Sequence, residues 1–119
     1  MTFDDLEVFL RQLGMTVDGV VSPSETKYVV IHDVLVTSGP RAGKTCDVAI
    51  ARVESNPFTM PSAIHTRPPL APMDMSGPLK TRASELGTEW QYWSRRYDHP
   101  PTPKLIWVHI LSVLNEDVS

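Results

Sequence analysis

The fold is decided by two segments rich in β-branched side chains, KYVVIHDVLVT at residues 27–37 and KTCDVAIARVE at residues 44–54. Both have the composition of β-strands, and SGPRAG between them has that of a turn, so we expect an antiparallel hairpin. Alternation along the first strand puts one set of side chains on each face: Tyr28, Val30, His32, Val34 and Val36 on one, Val29, Ile31, Asp33 and Leu35 on the other. In the second strand Cys46 shares a face with Val48 and Ile50, which predicts a buried, unreactive thiol.

Helices are predicted at both ends of the chain, over residues 3–14 and 103–116. In the first, Thr2 has the side chain of an N-cap, and the apolar residues recur at steps of three and four: Leu6, Phe9, Leu10 and Leu13. In the second, Thr102 is the expected cap and Pro103 takes the first helical position, where proline is favoured. An apolar stripe follows there too, from Ile106 through Ile110, Val113 and Leu114.

The middle of the chain is rich in proline, with six prolines between residues 56 and 78. Proline cannot donate to a strand ladder, so only residues 62–66 are predicted to form a third strand. The remainder is expected to be an ordered, irregular loop, the alternative being a disordered insert. For residues 83–97 we expect a short helix interrupted at Gly87 and then an aromatic cluster. Its tryptophans, Trp90 and Trp93, are expected to form a core seam with Trp107.

Composition limits the possible functions of the chain. Its 119 residues fit one domain, residues 1–119, of the α+β class with the sheet packed against helices. The formal net charge of −3 disfavours nucleic acid as a partner, because binding to phosphates needs a basic face. The sequence has neither an apolar stretch long enough to cross a membrane nor the basic start of an export signal, so a cytoplasmic location is expected.

The chemistry-bearing residues form no catalytic or metal-binding motif by themselves. There is one cysteine, and no two of the four histidines have the spacing of a metal site, so neither a metal nor a cofactor is predicted. There is also no glycine-rich phosphate loop and no G-x-S-x-G turn. The residues alone therefore indicate only an α+β domain with a proline-rich loop.

The order of predicted elements resembles the ubiquitin-conjugating (E2-type, UBC-like) fold: an N-terminal helix, an antiparallel meander of three to four strands, a long active-site loop and a C-terminal helix. The turn NPFTMP at 56–61 is similar to that family's Y-P-F-x-x-P turn, and Trp93-Ser94 to its W-S-P. The run WQYWSRR at 90–96, with the closing WVHI at 107–110, is similar to the prokaryotic conjugating-enzyme-like family E. The resemblance implies two partners, a ubiquitin-like protein and its activating enzyme.

The resemblance also implies where the active site lies, although the catalytic cysteine of the family is missing. Counted from Pro57 with the family's spacing, the cysteine position falls on Thr81, between Lys80 and Arg82. Counted back from the tryptophan, the site falls between Arg82 and Glu85, where Ser84 has the only side chain that can act as a nucleophile. Cys46 lies far upstream on a strand and cannot take this role.

Two functions follow from this position. In the first, the domain is a transferase that carries the modifier as an oxyester on Thr81 or Ser84. Lys80 and Arg82 supply a positive field, and His65 or His99 acts as base. In the second, the domain is a non-catalytic variant that binds the modifier or another subunit. A further alternative is an unrelated α+β interaction module, for example an RWD-like one. For residues 68–84 we expect an ordered surface segment with Thr81 or Ser84 accessible and a basic side chain nearby.

Overall fold

A computed structural model describes residues 1–71 and 81–116 of the chain. The predicted α+β class is confirmed: a helix, a six-stranded antiparallel sheet and a second helix follow one another. The elements in chain order are α1 (Phe3–Gln12), β1 (Thr16–Val21), β2 (Lys27–Leu35), β3 (Thr45–Ala51), β4 (Ala63–Arg67), β5 (Thr81–Ser84), β6 (Gly87–Ser94) and α2 (Pro103–Leu114).

The sheet has more strands than the three to four predicted. Its order is β1-β2-β3-β4-β6-β5, and every neighbouring pair is antiparallel. The first four strands form a meander in sequence order. The chain then returns as a β5–β6 hairpin, whose second strand pairs with β4 and whose first strand lies at the edge.

Both predicted helices are confirmed, each ending two residues earlier than expected. Thr2 caps α1 in a capping box: its hydroxyl accepts the Asp5 N–H, and the Asp5 carboxylate accepts the Thr2 N–H. Thr102 caps α2 and Pro103 begins it, as the sequence indicates. Both apolar stripes pack on one face of the sheet, around Ile31, Val48, Ile50 and Ile64.

A β-bulge in β2 corrects the predicted alternation. Ile31 lies opposite Val48 and Val34 opposite Cys46, so two residues of β2 face the single residue between these partners on β3. Asp33, within the bulge, has a φ of +56°. Val34 and Val36 therefore pack in the same core as Ile31, and not on the face of Val30 as a strict alternation predicts. Cys46 is in this core with 3% of its surface exposed, which confirms its predicted burial.

Residues 83–97 contradict the prediction of a helix, since they contain the end of β5 and all of β6. Gly87, expected to interrupt that helix, instead helps to form the hairpin turn with a φ of +133°. Ala83 lies opposite Gln91 but Ser84 lies opposite Gly87, so Thr88, Glu89 and Trp90 bulge out of the register.

The tryptophans divide between the two faces, which corrects the predicted single seam. Trp93 and Trp107 pack in the core beside the helices, Trp93 fully buried and Trp107 partly. Trp90 lies on the opposite face, which we call the helix-free face, with Tyr28, Val30 and Ala49.

The tip of the β5–β6 hairpin folds over the helix-free face and joins the two ends of the sheet. Glu85 at this tip accepts hydrogen bonds from the Tyr28 hydroxyl on β2, at 2.8 Å, and from Ser24 in the β1–β2 turn. Leu86, at the same tip, packs against the cluster that contains Tyr28 and Trp90, both of which are buried although no described helix packs over them. Neither helix in the described part of the chain is long and apolar enough to cross a membrane.

Candidate functional site

Three of the six residues singled out in the sequence come together on the helix-free face. His65 on β4 lies opposite Tyr92 of β6, and Tyr92 lies opposite Arg82 of β5, so the three form a row across neighbouring strands. Ser84 is two residues beyond Arg82 and projects to the same face. This topology brings His65 and Ser84 together from strands that are not adjacent.

Of the other three predicted residues, two are described and lie elsewhere. Thr81 points to the opposite side of β5 and is fully buried, so the expected access is wrong for its hydroxyl. Ser84, its alternative, is half-buried. His99 contacts Tyr97, which packs against the core on the helix side and not against the helix-free face. Lys80 lies outside the described residues.

A hydrogen bond joins His65 to Ser84. The Nδ1 atom of His65 lies 2.7 Å from the Ser84 Oγ, and the same Oγ accepts the Leu86 N–H at 3.1 Å. In the tautomer that carries its hydrogen on Nε2, Nδ1 accepts the serine proton. The ring centres of Tyr28 and Tyr92 lie 5.1 and 5.3 Å from the centre of the imidazole, and both rings are nearly perpendicular to it.

Burial keeps this imidazole neutral. His65 is 4% exposed, and desolvation of the charged form lowers its pKa to about 4, although the negative charge of Glu85 opposes the shift. The pKa of Glu85 is itself lowered, chiefly by the hydrogen bond from Ser24 and also by that from Tyr28. At neutral pH the site therefore holds an uncharged base beside an ionised carboxylate.

A cleft of about 450 Å³ opens beside His65, between Ala83 and Glu85 on either side of Ser84. Its lining includes His65, Tyr92, Arg82 and Glu85, so one positive and one negative side chain border it. The Arg82 guanidinium stacks on the Tyr92 ring, 4.5 Å from its centre, on the same face of the sheet as Ser84. The arrangement provides a hydroxyl, a neutral hydrogen-bond acceptor and a nearby cation.

A second polar row on the helix-free face is not among the residues identified from the sequence. His32 contacts Asp18 at 2.8 Å and Asp47 at 3.4 Å, and Asp47 also binds Arg67 at 2.7 and 3.0 Å. Arg67 in turn stacks 4.5 Å above Trp90. In the sequence, this row is indicated only by the placement of His32 and Asp47 on the two strands of the predicted hairpin.

Comparisons with known proteins do not identify the site. Among the described residues, no group of three or more His, Cys, Asp or Glu side chains is arranged to hold a metal ion. No model of a protein family matches the chain, and no curated protein and no solved structure was found to be similar to it.

Proposed function

We propose that this chain is an E2-like carrier in a cytoplasmic ubiquitin-like conjugation pathway and holds the modifier as an oxyester on Ser84. The fold supports the proposal through its N-terminal helix, its four-strand meander and the position of the turn at 56–61 between β3 and β4. The β5–β6 hairpin is a departure, because the UBC-like order leads from the active-site loop into helices.

The observation that carries the proposal is the 2.7 Å contact between Ser84 Oγ and His65 Nδ1. The Ser84 oxygen attacks the thioester carbonyl by which the activating enzyme holds the modifier, and its proton passes to His65. The carbon–sulfur bond then breaks, the proton returns to the departing thiolate, and an oxyester remains on Ser84. Thr81 has no part in this step, because its hydroxyl is buried on the other face.

The charges around the pair determine how fast this step can be. An imidazole with a pKa near 4 is always neutral at pH 7, but it is a weaker base than one whose pKa matches the working pH. Glu85 partly compensates, since its negative charge favours the imidazolium that forms. Arg82 is placed to favour the negative charge that develops on the carbonyl oxygen. We therefore expect a slow acyl acceptor.

The alternative is a non-catalytic module that binds the modifier or a partner subunit. It is favoured by the second bond of Ser84, whose Oγ accepts the Leu86 N–H and so closes the hairpin turn. A serine with this structural role needs no chemistry to explain its position.

An activated acyl donor separates the two functions without the natural partners. We expect p-nitrophenyl acetate to leave one base-labile, reductant-resistant acetyl group on the protein, and peptide mass spectrometry to locate it on Ser84. Ser84→Ala should abolish the adduct, and His65→Gln should slow its formation about 100-fold. Ser112→Ala, which changes an exposed serine on α2, is the matched control. If the unaltered chain acquires no acetyl on Ser84, the carrier proposal is wrong and the binding module remains.

The same variants test the conjugation step itself. With an activating enzyme, its modifier and ATP, the carrier forms an adduct that mild base removes and reductant does not. An adduct that survives in Ser84→Ala would place the chemistry on another residue and contradict the proposal.

A further inference from the structure

A second cleft, of about 500 Å³, lies on the helix-free face on the other side of the hairpin tip. Glu85 borders the first cleft, whereas Leu86 and Gly87 border the second, so the tip lies between them. The volume is within the range of small-molecule sites, about 300–1,000 Å³. Two continuous segments line the second cleft, 18–23 and 86–90, together with single residues of the central strands: Val30, His32 and Arg67.

The accessible part of an aromatic stack lies in this cleft. The Arg67 guanidinium lies over the Trp90 ring, 4.5 Å from its centre. Trp90 also packs with Val30 and is only 6% exposed, whereas 37% of the Arg67 side chain is exposed. A ligand in the cleft therefore meets Arg67 and not the indole ring. Because a guanidinium is planar and stacks on aromatic faces, a flat ring can extend the stack.

The partners of Arg67 keep its guanidinium in place. Asp47 accepts hydrogen bonds from the Nη2 and Nε atoms of Arg67, at 2.7 and 3.0 Å. His32 contacts the other oxygen of the same carboxylate, at 3.4 Å. The guanidinium is thus oriented before a ligand arrives, which lowers the entropic cost of binding. The ion pair also compensates its charge, so Arg67 offers a flat surface and not a free cation.

The remaining charges of the cleft disfavour an anionic ligand. Asp18 is already bound to His32, at 2.8 Å. Glu89 is exposed and has no hydrogen bond or ion pair within the part of the chain that the structure describes. A ligand therefore gains from a hydrogen-bond donor that reaches the Glu89 carboxylate, and it loses from a phosphate or carboxylate group of its own.

We propose that the second cleft binds an uncharged, planar heteroaromatic ring that carries an amino group, as an unphosphorylated purine nucleoside does. The ring stacks on Arg67, and its amino group donates to Glu89. Val20, 40% exposed, and Leu86 add apolar contacts. This binding does not rest on the chemistry of Ser84. A chain that accepts no acetyl group would still bind the nucleoside, and the reverse also holds, so the two proposals fail separately.

The test is a titration of adenosine into the isotope-labelled full chain, followed by amide and indole NMR shifts. We expect saturable shifts at residues 18–23 and 86–90 with a Kd of about 0.1–1 mM, as for a ligand of this size. Purine riboside, which lacks the amino group, should bind about three- to tenfold more weakly, because it has no donor for Glu89. Adenosine monophosphate should also bind more weakly, because its phosphate adds negative charge beside that carboxylate.

Two variants separate the stack from the hydrogen bond. Arg67→Lys keeps the charge but removes the flat surface, so it should weaken adenosine about two- to fivefold. Arg96→Lys, which changes an exposed arginine after β6, should have no effect. Glu89→Ala should remove the preference for adenosine over purine riboside, whereas Asp98→Ala, which changes another exposed acid, should leave it. Because this preference is a ratio measured on one sample, it does not depend on how much of the variant is folded.

The inference is overturned if adenosine at about 10 mM shifts no residue that lines the cleft. It is also overturned if ribose alone gives the same shifts, if adenosine monophosphate binds more tightly than adenosine, or if Arg67→Lys binds adenosine as well as the unaltered chain. An unchanged preference for adenosine in Glu89→Ala would contradict the assigned hydrogen bond and, with it, the proposed ligand.

Discussion

Burial of His65 makes the stability of the protein depend on pH. The pKa of this imidazole is about 4 in the folded chain, against 6.5 for an exposed histidine. The folded state therefore binds fewer protons than the unfolded state between these values. The contribution of His65 to the free energy of unfolding has its full value above pH 6.5 and decreases as the pH falls from 6.5 towards 4.

The two pKa values set the size of the effect. From pH 7 to pH 5, proton linkage at this one group lowers the free energy of unfolding by about 2 kcal/mol. For a domain of this size that corresponds to a fall of about 8 °C in Tm. Burial also lowers the pKa of His109. The free energy of unfolding of the whole protein therefore falls by more than His65 alone accounts for.

Urea unfolding of the unaltered chain and of His65→Gln, each at pH 7 and pH 5, isolates the contribution of His65. Glutamine keeps an acceptor for the Ser84 hydroxyl but does not titrate. We expect the unaltered chain to lose about 2 kcal/mol more than the variant between the two pH values. Equal losses would refute the reasoning. If the variant does not fold, NMR titration of the His65 ring in the unaltered chain decides instead, and a midpoint near 6.5 would contradict the burial argument.

Three further outcomes follow from single residues. Gly39→Ala should lower the free energy of unfolding by about 1–3 kcal/mol, because φ is +81° and the new Cβ would lie 2.5 Å from the Asn115 carbonyl oxygen. Gly43→Ala, where φ is +88° but the Cβ would meet open space, should lower it less. Equal losses in thermal unfolding would exclude the contact as the cause. Gln91→Leu should lower the free energy of unfolding by about 2–4 kcal/mol, since this buried amide makes three hydrogen bonds to the backbone of residues 70 and 71. An unchanged free energy of unfolding in chemical denaturation would contradict that role. Burial raises the pKa of the Cys46 thiol to about 12, so a water-soluble disulfide reagent should label it at pH 8 only as the chain unfolds. Rapid labelling of the native protein would be inconsistent with its position in the core.

The parts of the fold that the sequence predicts are those set by local chemistry. Both helices follow from caps and apolar repeats within a few residues, and β2, β3 and β4 from β-branched runs between turns. β1 was not predicted, because TVDGVV contains a glycine and an aspartate and shows little alternation. The sequence predicts a helix in place of the β5–β6 hairpin, because the three-residue bulge breaks the alternation that marks a strand.

The candidate site was only partly predictable for a related reason. The resemblance points to Thr81 when counted from Pro57 and to Ser84 when counted back from the tryptophan, with His65 or His99 as the base. Their contact depends on β6 lying between β4 and β5, a pairing order that no local pattern encodes. The sequence does not distinguish Thr81 from Ser84, because the burial of Thr81 depends on which face of β5 packs against the core.

The bonds of Glu85 have a consequence for the order in which the protein folds. Each bond joins two residues that are far apart in the chain, with separations of 57 and 61 positions. In the meander, by contrast, each strand pairs with the one before it. Closing so long a loop is entropically costly, and the loss is recovered only when both ends of the sheet already exist. We therefore expect the two clefts to form after the helices and the meander. Weakening the hydrogen bonds of Glu85 should then accelerate unfolding while leaving the folding rate nearly unchanged.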